Sequence, residues 1–532
     1  MKDVVVFERI TLECGGSTPL LNSVRQLLKR CRVSALQSGF AACFIALSAV
    51  AENPNILLIM IDDLNRQVGC FDGPAITPNI DQLAASGIKF NNAYSACPSC
   101  NPSRVSLMTG QRPEKTGVYS NVNHFRSTSP AKDLTTWPQL MKANGYNTIA
   151  AGKIFHGRVK KLNPKKSKQK DESDSISWTY QPIVDGGQFF GPNFDEQFHD
   201  KDGLPRWVYN TTGPEGVDPK DRKALKGTWV YGPIDVEPSN TLDFNTCEFG
   251  AAWLNQDQSD PQVKAAPSAD EKPFLLACGV FRPHIPILAP QEFFDLYTTE
   301  ENKHRLELPY LPADDCDDLP SGAGKNNHWY NRYLKPFPKE QVNLRHAYLA
   351  ATSYADAAVG ILLEGLAKSK YADNTIVILM GDHGYDLGEK DHLGKSVVWK
   401  NASSMPMVIR MPKGASGTVA AAVSMIDIYP TLVELLDLNA PQPLDGTSLV
   451  PLLKDPGAKR DVPAVITNTG GNQIGVVLDQ WHYISYNDGS EELYDHSVDP
   501  REITNLMYPA NFSEKYLEVA KRLKKFIPEN RK

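Results

Sequence analysis

The chain has 532 residues, 41% of them hydrophobic and 22% charged, with 37 Gly and 39 Pro. This loop-rich globular composition excludes a coiled coil, a collagen-like repeat and wholesale disorder, and the length suits a large α/β domain with an appendage. A formal net charge of −6 supplies no overall basic field, so nucleic acid is not an expected partner and an anionic ligand must be held locally.

Residues 29–51 read as an export signal: Lys29, Arg30 and Arg32 form a basic start, Phe40 to Val50 is mostly apolar, and Ala49-Val50-Ala51 offers a cleavage site before Glu52. A buried helix is the alternative reading of the same run. The run is shorter than the ~18–20 residues a spanning helix needs, so no stable membrane span is expected and the mature chain starts near Glu52 in a secreted or periplasmic setting. Cleavage removes six basic and three acidic residues and leaves a net charge of −9. Cys70, Cys97, Cys100, Cys247, Cys278 and Cys316 remain; an oxidising compartment permits disulfides, and the spacing does not choose a pairing.

Short apolar runs bounded by turn residues alternate with helical patterns, the signature of an α/β fold with a mostly parallel sheet sandwiched by helices. In chain order the pattern predicts a strand at Ile56–Ile61, helices at Ile80–Ala85 and Trp137–Asn144, strands at Thr148–Ala151 and Phe274–Val280, a helix at Leu344–Leu366, strands at Ile376–Met380 and Met407–Ile409, and a helix at Ile426–Leu436. Residues 159–270, rich in Pro, Gly, Trp and charge, read as long surface loops, with the basic run Lys160, Lys161, Lys165, Lys166, Lys168 and Lys170 as a solvated loop. Asp314, Asp315, Asp317 and Asp318 read as a solvated turn. Beyond about Pro451, short strands (Ala464–Thr467, Ile474–Leu478, His482–Tyr486), a Glu492–Asp495 segment and a helix around Tyr516–Phe526 predict a smaller C-terminal α+β domain with an antiparallel sheet. The expected division is therefore 1–51, 52–450 and 451–532.

Ligands of open α/β sheets bind beyond the carboxyl ends of the strands. Asp62-Asp63, Lys153, Arg282 to His284 and Asp382-His383 all stand there. Two adjacent carboxylates at a buried strand tip repel each other unless a cation lies between them. Three carboxylates and one histidine favour Ca²⁺ or Mg²⁺ over softer metals; either pair alone reads as strand capping or surface solvation, and it is the two pairs together that point to a site.

Cys100-Asn101-Pro102-Ser103-Arg104, followed after four residues by Thr109-Gly110, resembles the signature of the sulfatase family. That resemblance implies that Cys100 is oxidised by a formylglycine-generating enzyme to formylglycine, whose hydrate is the nucleophile; a disulfide with Cys97 is the competing reading of this cysteine. The resemblance extends over nearly all of the mature chain, through Asp62-Asp63, the Gly152-Lys153-Ile154-Phe155-His156 element, Pro283-His284-Ile285-Pro286, and Asp382 through Lys395. These contexts are most similar to the iduronate-2-sulfatase branch, from which the chain departs at Tyr385 and His392, where that branch tends to have tryptophans.

The family likeness implies an alkaline-phosphatase-like fold and hydrolysis of O-sulfate esters on a sulfated sugar, such as a glycosaminoglycan or an algal polysaccharide. It implies a metal held by Asp62, Asp63, Cys100, Asp382 and His383. Lys153 and Lys395 are then expected to neutralise sulfate oxygens, Arg104 to fix the nucleophilic turn and the carboxylates, His284 to act as general acid and His156 as base. The alternatives are a phosphate mono- or diester hydrolase, and a catalytically silent polysaccharide-binding protein if Cys100 stays a thiol. Asn210, Asn401 and Asn511 lie in Asn-x-Ser/Thr acceptors, relevant only in a glycosylating host.

Overall fold

A computed structural model describes residues 53–121, 125–127, 130–156, 173–182, 231–270, 272–312, 314–323, 330–331 and 334–529. The export-signal reading, the Lys160–Lys170 run and Asn210 lie outside the described residues. The main sheet is built from β1 (Asn55–Ile61), β2 (Ile88–Tyr94), β3 (Asn147–Gly152), β4 (Phe274–Val280), β5 (Thr375–Gly381), β6 (Ser404–Met405), β7 (Met407–Arg410) and β8 (Gly417–Ser424). Their order is β6-β2-β7-β5-β1-β4-β3, with β8 beside β2. From β3 through β4 and β1 to β5 all pairings are parallel. β7 then runs antiparallel to both β5 and β2, and β8 returns parallel to β2.

Every residue of β1 is buried, which requires a sheet covered on both faces and explains the unbroken apolar run. Alternate side chains enter opposite cores: Ile56, Leu58 and Met60 join one, and Leu57, Ile59 and Ile61 the other. The first core is closed by α2 (Cys100–Thr109), α3 (Trp137–Ala143) and α6 (Ile428–Leu435), and the second by α1 (Pro78–Ala85), α4 (Leu242–Leu254) and α5 (Pro338–Lys368). α3 starts at a capping box, with Thr136 and Gln139 satisfying each other's backbone N–H groups. Among the described residues α5 alone is long and apolar enough to cross a bilayer, and most of its apolar window is buried inside the protein.

The structure corrects the expected elements in three places. The 13-residue α4 occupies part of the stretch read as loops. Gly250 and Ala251 of α4 lie against Leu362 and Gly365 of α5, so the two helices approach too closely to admit a larger side chain. β2 and β8 were not expected as strands. The Asp314–Asp318 turn is not wholly solvated: Asp315 is buried and accepts from the Lys390 backbone N at 3.0 Å, while Asp318 accepts from Asn505 N at 2.6 Å.

The second sheet, β9 (Ala464–Thr467), β10 (Gln473–Leu478), β11 (Trp481–Tyr486) and β12 (Glu491–Asp495), is antiparallel throughout and runs in that order. α7 (Glu514–Lys524) covers one face through Ala520 and Leu523. The other face places Ile466, Val477, Ile484 and Tyr494 against Tyr94, Val398, Trp399 and Ala422. It thereby docks on the β2 edge and on the segment that follows Lys395.

Candidate active site

The carboxyl ends of the parallel strands converge on the first turn of α2. β1 delivers Asp62 and Asp63, β5 delivers Asp382 and His383, β3 runs on to Lys153, and the loop after β4 carries His284. Lys153 reaches its place because the chain passes close to β4 at two glycines: a Cβ on Gly279 would lie 2.2 Å from the Lys153 carbonyl oxygen, and Gly152 has φ +69°. Cys100 is the first residue of the ten-residue α2, so the positive end of the helix dipole faces whatever binds beside it, while the N–H of Asn101 is already taken by Asn121 Oδ1 at 2.9 Å.

Arg104, one turn along α2, is fully buried and ties the converging ends together. Its Nη2 donates to Asp62 Oδ1 at 2.9 Å, its Nε to Asp382 Oδ2 at 3.0 Å, and its Nη1 to the carbonyls of Ile154 at 2.9 Å and of Lys153. Lys153 Nζ donates to Asp62. Lys395 Nζ lies 2.5 Å from Asp63 Oδ1 and 3.0 Å from Cys100 Sγ, which is itself 4.0 Å from Asp63 Oδ1. His284 Nε2 stands 3.9 Å from both Asp62 and Asp63. His156 and His284 are both close enough to hydrogen-bond the Cys100 sulfur. The structure thus brings together all the residues singled out by the sequence: Asp62, Asp63, Cys100, Arg104, Lys153, His156, His284, Asp382, His383 and Lys395.

Burial opposes charge throughout the cluster, and the pairing decides where charge survives. Burial pushes the Cys100 thiol up, but Lys395 and Lys153 overcome it and hold the thiol well below its ordinary value. Burial likewise raises Asp62, yet Lys153, His284 and Arg104 bring it below the usual carboxylate range. Asp382 is pushed up to about 7, by burial first and then by Asp62, against the pull of His383 and Arg104. Asp62, Asp63, Asp382 and the Cys100 thiolate make four acidic groups against three fixed cations, Arg104, Lys153 and Lys395.

Two buried atoms fit a divalent cation that would make up the difference. Asp63 Oδ2 and His383 Nε2 have no hydrogen-bond partner, and His383 Nε2 points at Asp63 Oδ1, 3.4 Å away, and Asp382 Oδ2, 3.5 Å away. Its Nδ1 lies 2.9 Å from the Gly384 carbonyl, which leaves the Nε2 lone pair for an ion. Ligand atoms of Asp62, Cys100, Asp382 and His383 all lie within 4.8 Å of one another. Asp63 holds its place in a left-handed conformation, φ 59°, fixed by its N–H donating to Asp382 Oδ1 at 3.0 Å and by its carbonyl accepting from Tyr348 at 2.7 Å.

Two supports escaped the sequence reading. Tyr348 sits inside α5 and bonds both Asp63 O and Asn65 N. Asp243 of α4 accepts from the backbone N of Phe281 at 2.6 Å and of Arg282 at 3.1 Å, holding the loop that carries His284. Neither Asp243, which shares its helix with Asn245, Thr246 and Glu248, nor Tyr348 gave a signal.

The family model for sulfatases matches residues 54–438. The chain belongs to the sulfatase family. A model described as N-sulphoglucosamine sulphohydrolase, C-terminal, matches residues 388–532. A sulfatase of Formosa agariphila is 33% identical, over 89% of this chain and 86% of its own. Iduronate 2-sulfatase of Mus musculus is 30% identical, over 73% of this chain and 69% of its own. A solved 2-O GAG sulfatase shares the fold with a TM-score of 0.63, at 20% identity over 90% of this chain and 93% of that one. This sulfatase is accordingly a sulfuric ester hydrolase on the alkaline-phosphatase-like fold.

Proposed function

We propose that this sulfatase removes O-sulfate from a sulfated sugar of glycosaminoglycan or algal type, using Cys100 oxidised to formylglycine and a Ca²⁺ ion, with Mg²⁺ the alternative in the same oxygen-rich shell. The observation that carries this reading is the position of Cys100 at the mouth of α2, 3.0 Å from Lys395 Nζ and within reach of two histidines. Where Sγ lies, the modified residue would carry the two hydroxyls of an aldehyde hydrate. The likeness to iduronate 2-sulfatase supports a sugar substrate. Export after loss of residues 1–51, to the periplasm or beyond, and maturation by a formylglycine-generating enzyme belong to the same proposal.

Asp62, Asp63, Asp382, His383 and the residue-100 side chain would hold the cation, which supplies fixed positive charge to sulfate oxygens. Lys153 and Lys395 exchange their carboxylate partners for sulfate oxygens and neutralise the rest. One hydrate hydroxyl passes its proton to Asp382 as its oxygen attacks sulfur, the sulfur–ester oxygen bond breaks, and His284 gives its own proton to the departing sugar oxygen. His156 then takes the proton of the second hydroxyl; the aldehyde C=O re-forms, the carbon–oxygen bond to sulfate breaks, and water restores the hydrate. Arg104 touches no reacting atom: its fork holds Asp62 and Asp382 in place.

The mass of the Cys100 peptide from the native source tests the nucleophile: the loss that accompanies conversion of the thiol to an aldehyde is expected, and an intact thiol in active enzyme would remove the assignment. Turnover of an aryl sulfate is expected to exceed that of the matching aryl phosphate. The opposite order would favour a phosphate ester hydrolase.

A further inference from the structure

A second convergence of ligand-type atoms lies in the C-terminal sheet. His482 on β11, His496 just past β12 and Glu502 in the following turn meet with Glu502 Oε1 2.5 Å from His482 Nδ1 and 2.7 Å from His496 Nε2; the three ligand atoms lie within 4.8 Å of one another. Their side chains are 0%, 9% and 2% exposed. We propose that this cluster is a metal site separate from the one beside Cys100, taking a single divalent transition ion of the zinc class through His482 Nδ1, His496 Nε2 and Glu502 Oε1, with water in the remaining position.

The scaffold aims these atoms inward. Glu502 Oε2 accepts from the Lys400 backbone N at 2.9 Å, which turns Oε1 toward the two rings. Glu502 itself holds a left-handed conformation, φ 60°, as Asp63 does at the first site. His496 is placed by its N–H donating to the Gln480 carbonyl at 2.7 Å. Gly475 leaves room for the far edge of the His482 ring: a Cβ there would lie 2.6 Å from Nε2.

Two imidazoles and one carboxylate form a borderline donor set that suits zinc, unlike the oxygen-rich set around Asp62 and Asp382. Ligands at ~2.0–2.1 Å in tetrahedral array stand about 3.3 Å apart, so the two Glu502 contacts, at 2.5 and 2.7 Å, must open by roughly 0.6–0.8 Å. His496, partly exposed beyond the strand end, is the member able to move.

Nothing in this second site depends on the chemistry at Cys100, and metal content tests it. Full-length protein without an affinity tag, stripped with chelator, saturated with Ca²⁺ and then given Zn²⁺, is expected to retain one zinc per chain by elemental analysis. Asp63→Asn and Cys100→Ser alter only the other site and are expected to keep that zinc. His496→Gln retains an amide N–H for Glu502 while weakening ligation, so zinc should bind at least ~10-fold more weakly in a variant whose near-ultraviolet circular dichroism is unchanged. His496→Ala, which removes the ligand entirely, gives an independent reading. No zinc in the wild type, zinc lost in both variants of the other site, or affinity unchanged in the two His496 variants would overturn the assignment and leave a hydrogen-bonded brace.

Discussion

Lys153 and Lys395 rest on Asp62 and Asp63, whereas His284 stands off both carboxylates by 3.9 Å and keeps part of its side chain exposed. Its Nδ1 meets the Ile285 carbonyl at 2.5 Å, which turns Nε2 toward Asp62 and Asp63, where the proposed mechanism needs a proton for the departing oxygen. A group that only assists departure matters most when departure is hard. His284→Ala is therefore expected to slow an alkyl sulfate by ~10²–10⁴-fold and an activated aryl sulfate far less. Steady-state kinetics on the two substrates make the check, and equal losses would take the proton-donor role away from His284.

At the scale of elements, the C-terminal sheet reaches the site through the segment from Lys395 to Lys400. Ser396 N donates to the Pro98 carbonyl at 2.8 Å, Trp399 Nε1 to Glu492 Oε2 at 3.0 Å, and Lys400 N to Glu502 Oε2 at 2.9 Å. Glu492 also accepts from the hydroxyls of Tyr494, at 2.5 Å, and Tyr486. In Glu492→Gln an amide N–H faces donors in a buried pocket, at a cost of about 1–3 kcal/mol. A lowered thermal midpoint is expected, with kcat reduced ~10-fold and KM little changed as Lys395 loses its fixed position. A folded variant with full kcat would detach this sheet from catalysis.

The sequence made the central strands legible because each is an unbroken apolar run ended by charge, as at Ile61-Asp62 and Gly381-Asp382. It hid β2, where Asn92 breaks the alternation begun by Ile88-Lys89-Phe90-Asn91, and β8, whose Ala420-Ala421-Ala422 has low strand propensity; neighbouring strands decide both. α4 was illegible because its apolar residues are spread around the helix rather than along one stripe. The candidate site was legible residue by residue. Its outer supports were not, since Tyr348 meets Asp63 from 285 positions away.

For the whole molecule, acid acts through groups far apart in the chain. Burial holds His392 at about 4, and its Nε2 lies 3.2 Å from the Lys395 carbonyl. Unfolded, the imidazole takes up a proton near 6.5; folded, it does not until about 4. Its stabilising effect is thus complete above 6.5 and is lost as pH falls toward 4, by about 3 kcal/mol. Asp356, raised to about 6 chiefly by burial, has the opposite sign: stability grows as pH falls through 6. His392→Gln keeps an N–H donor for Lys395 and removes only the first effect. Its thermal midpoint is expected to drop less than that of the wild type between pH 6.5 and 4, and parallel curves would show that His392 does not titrate as described.

Cys100 has no exposed surface in the folded chain, and α2 is sealed around it by Arg104. If Cys100 is converted as proposed, the oxidising enzyme would have to reach the thiol before the chain closes over it. A chain that folds first would then keep its thiol, and adding the oxidising enzyme afterwards would not rescue it.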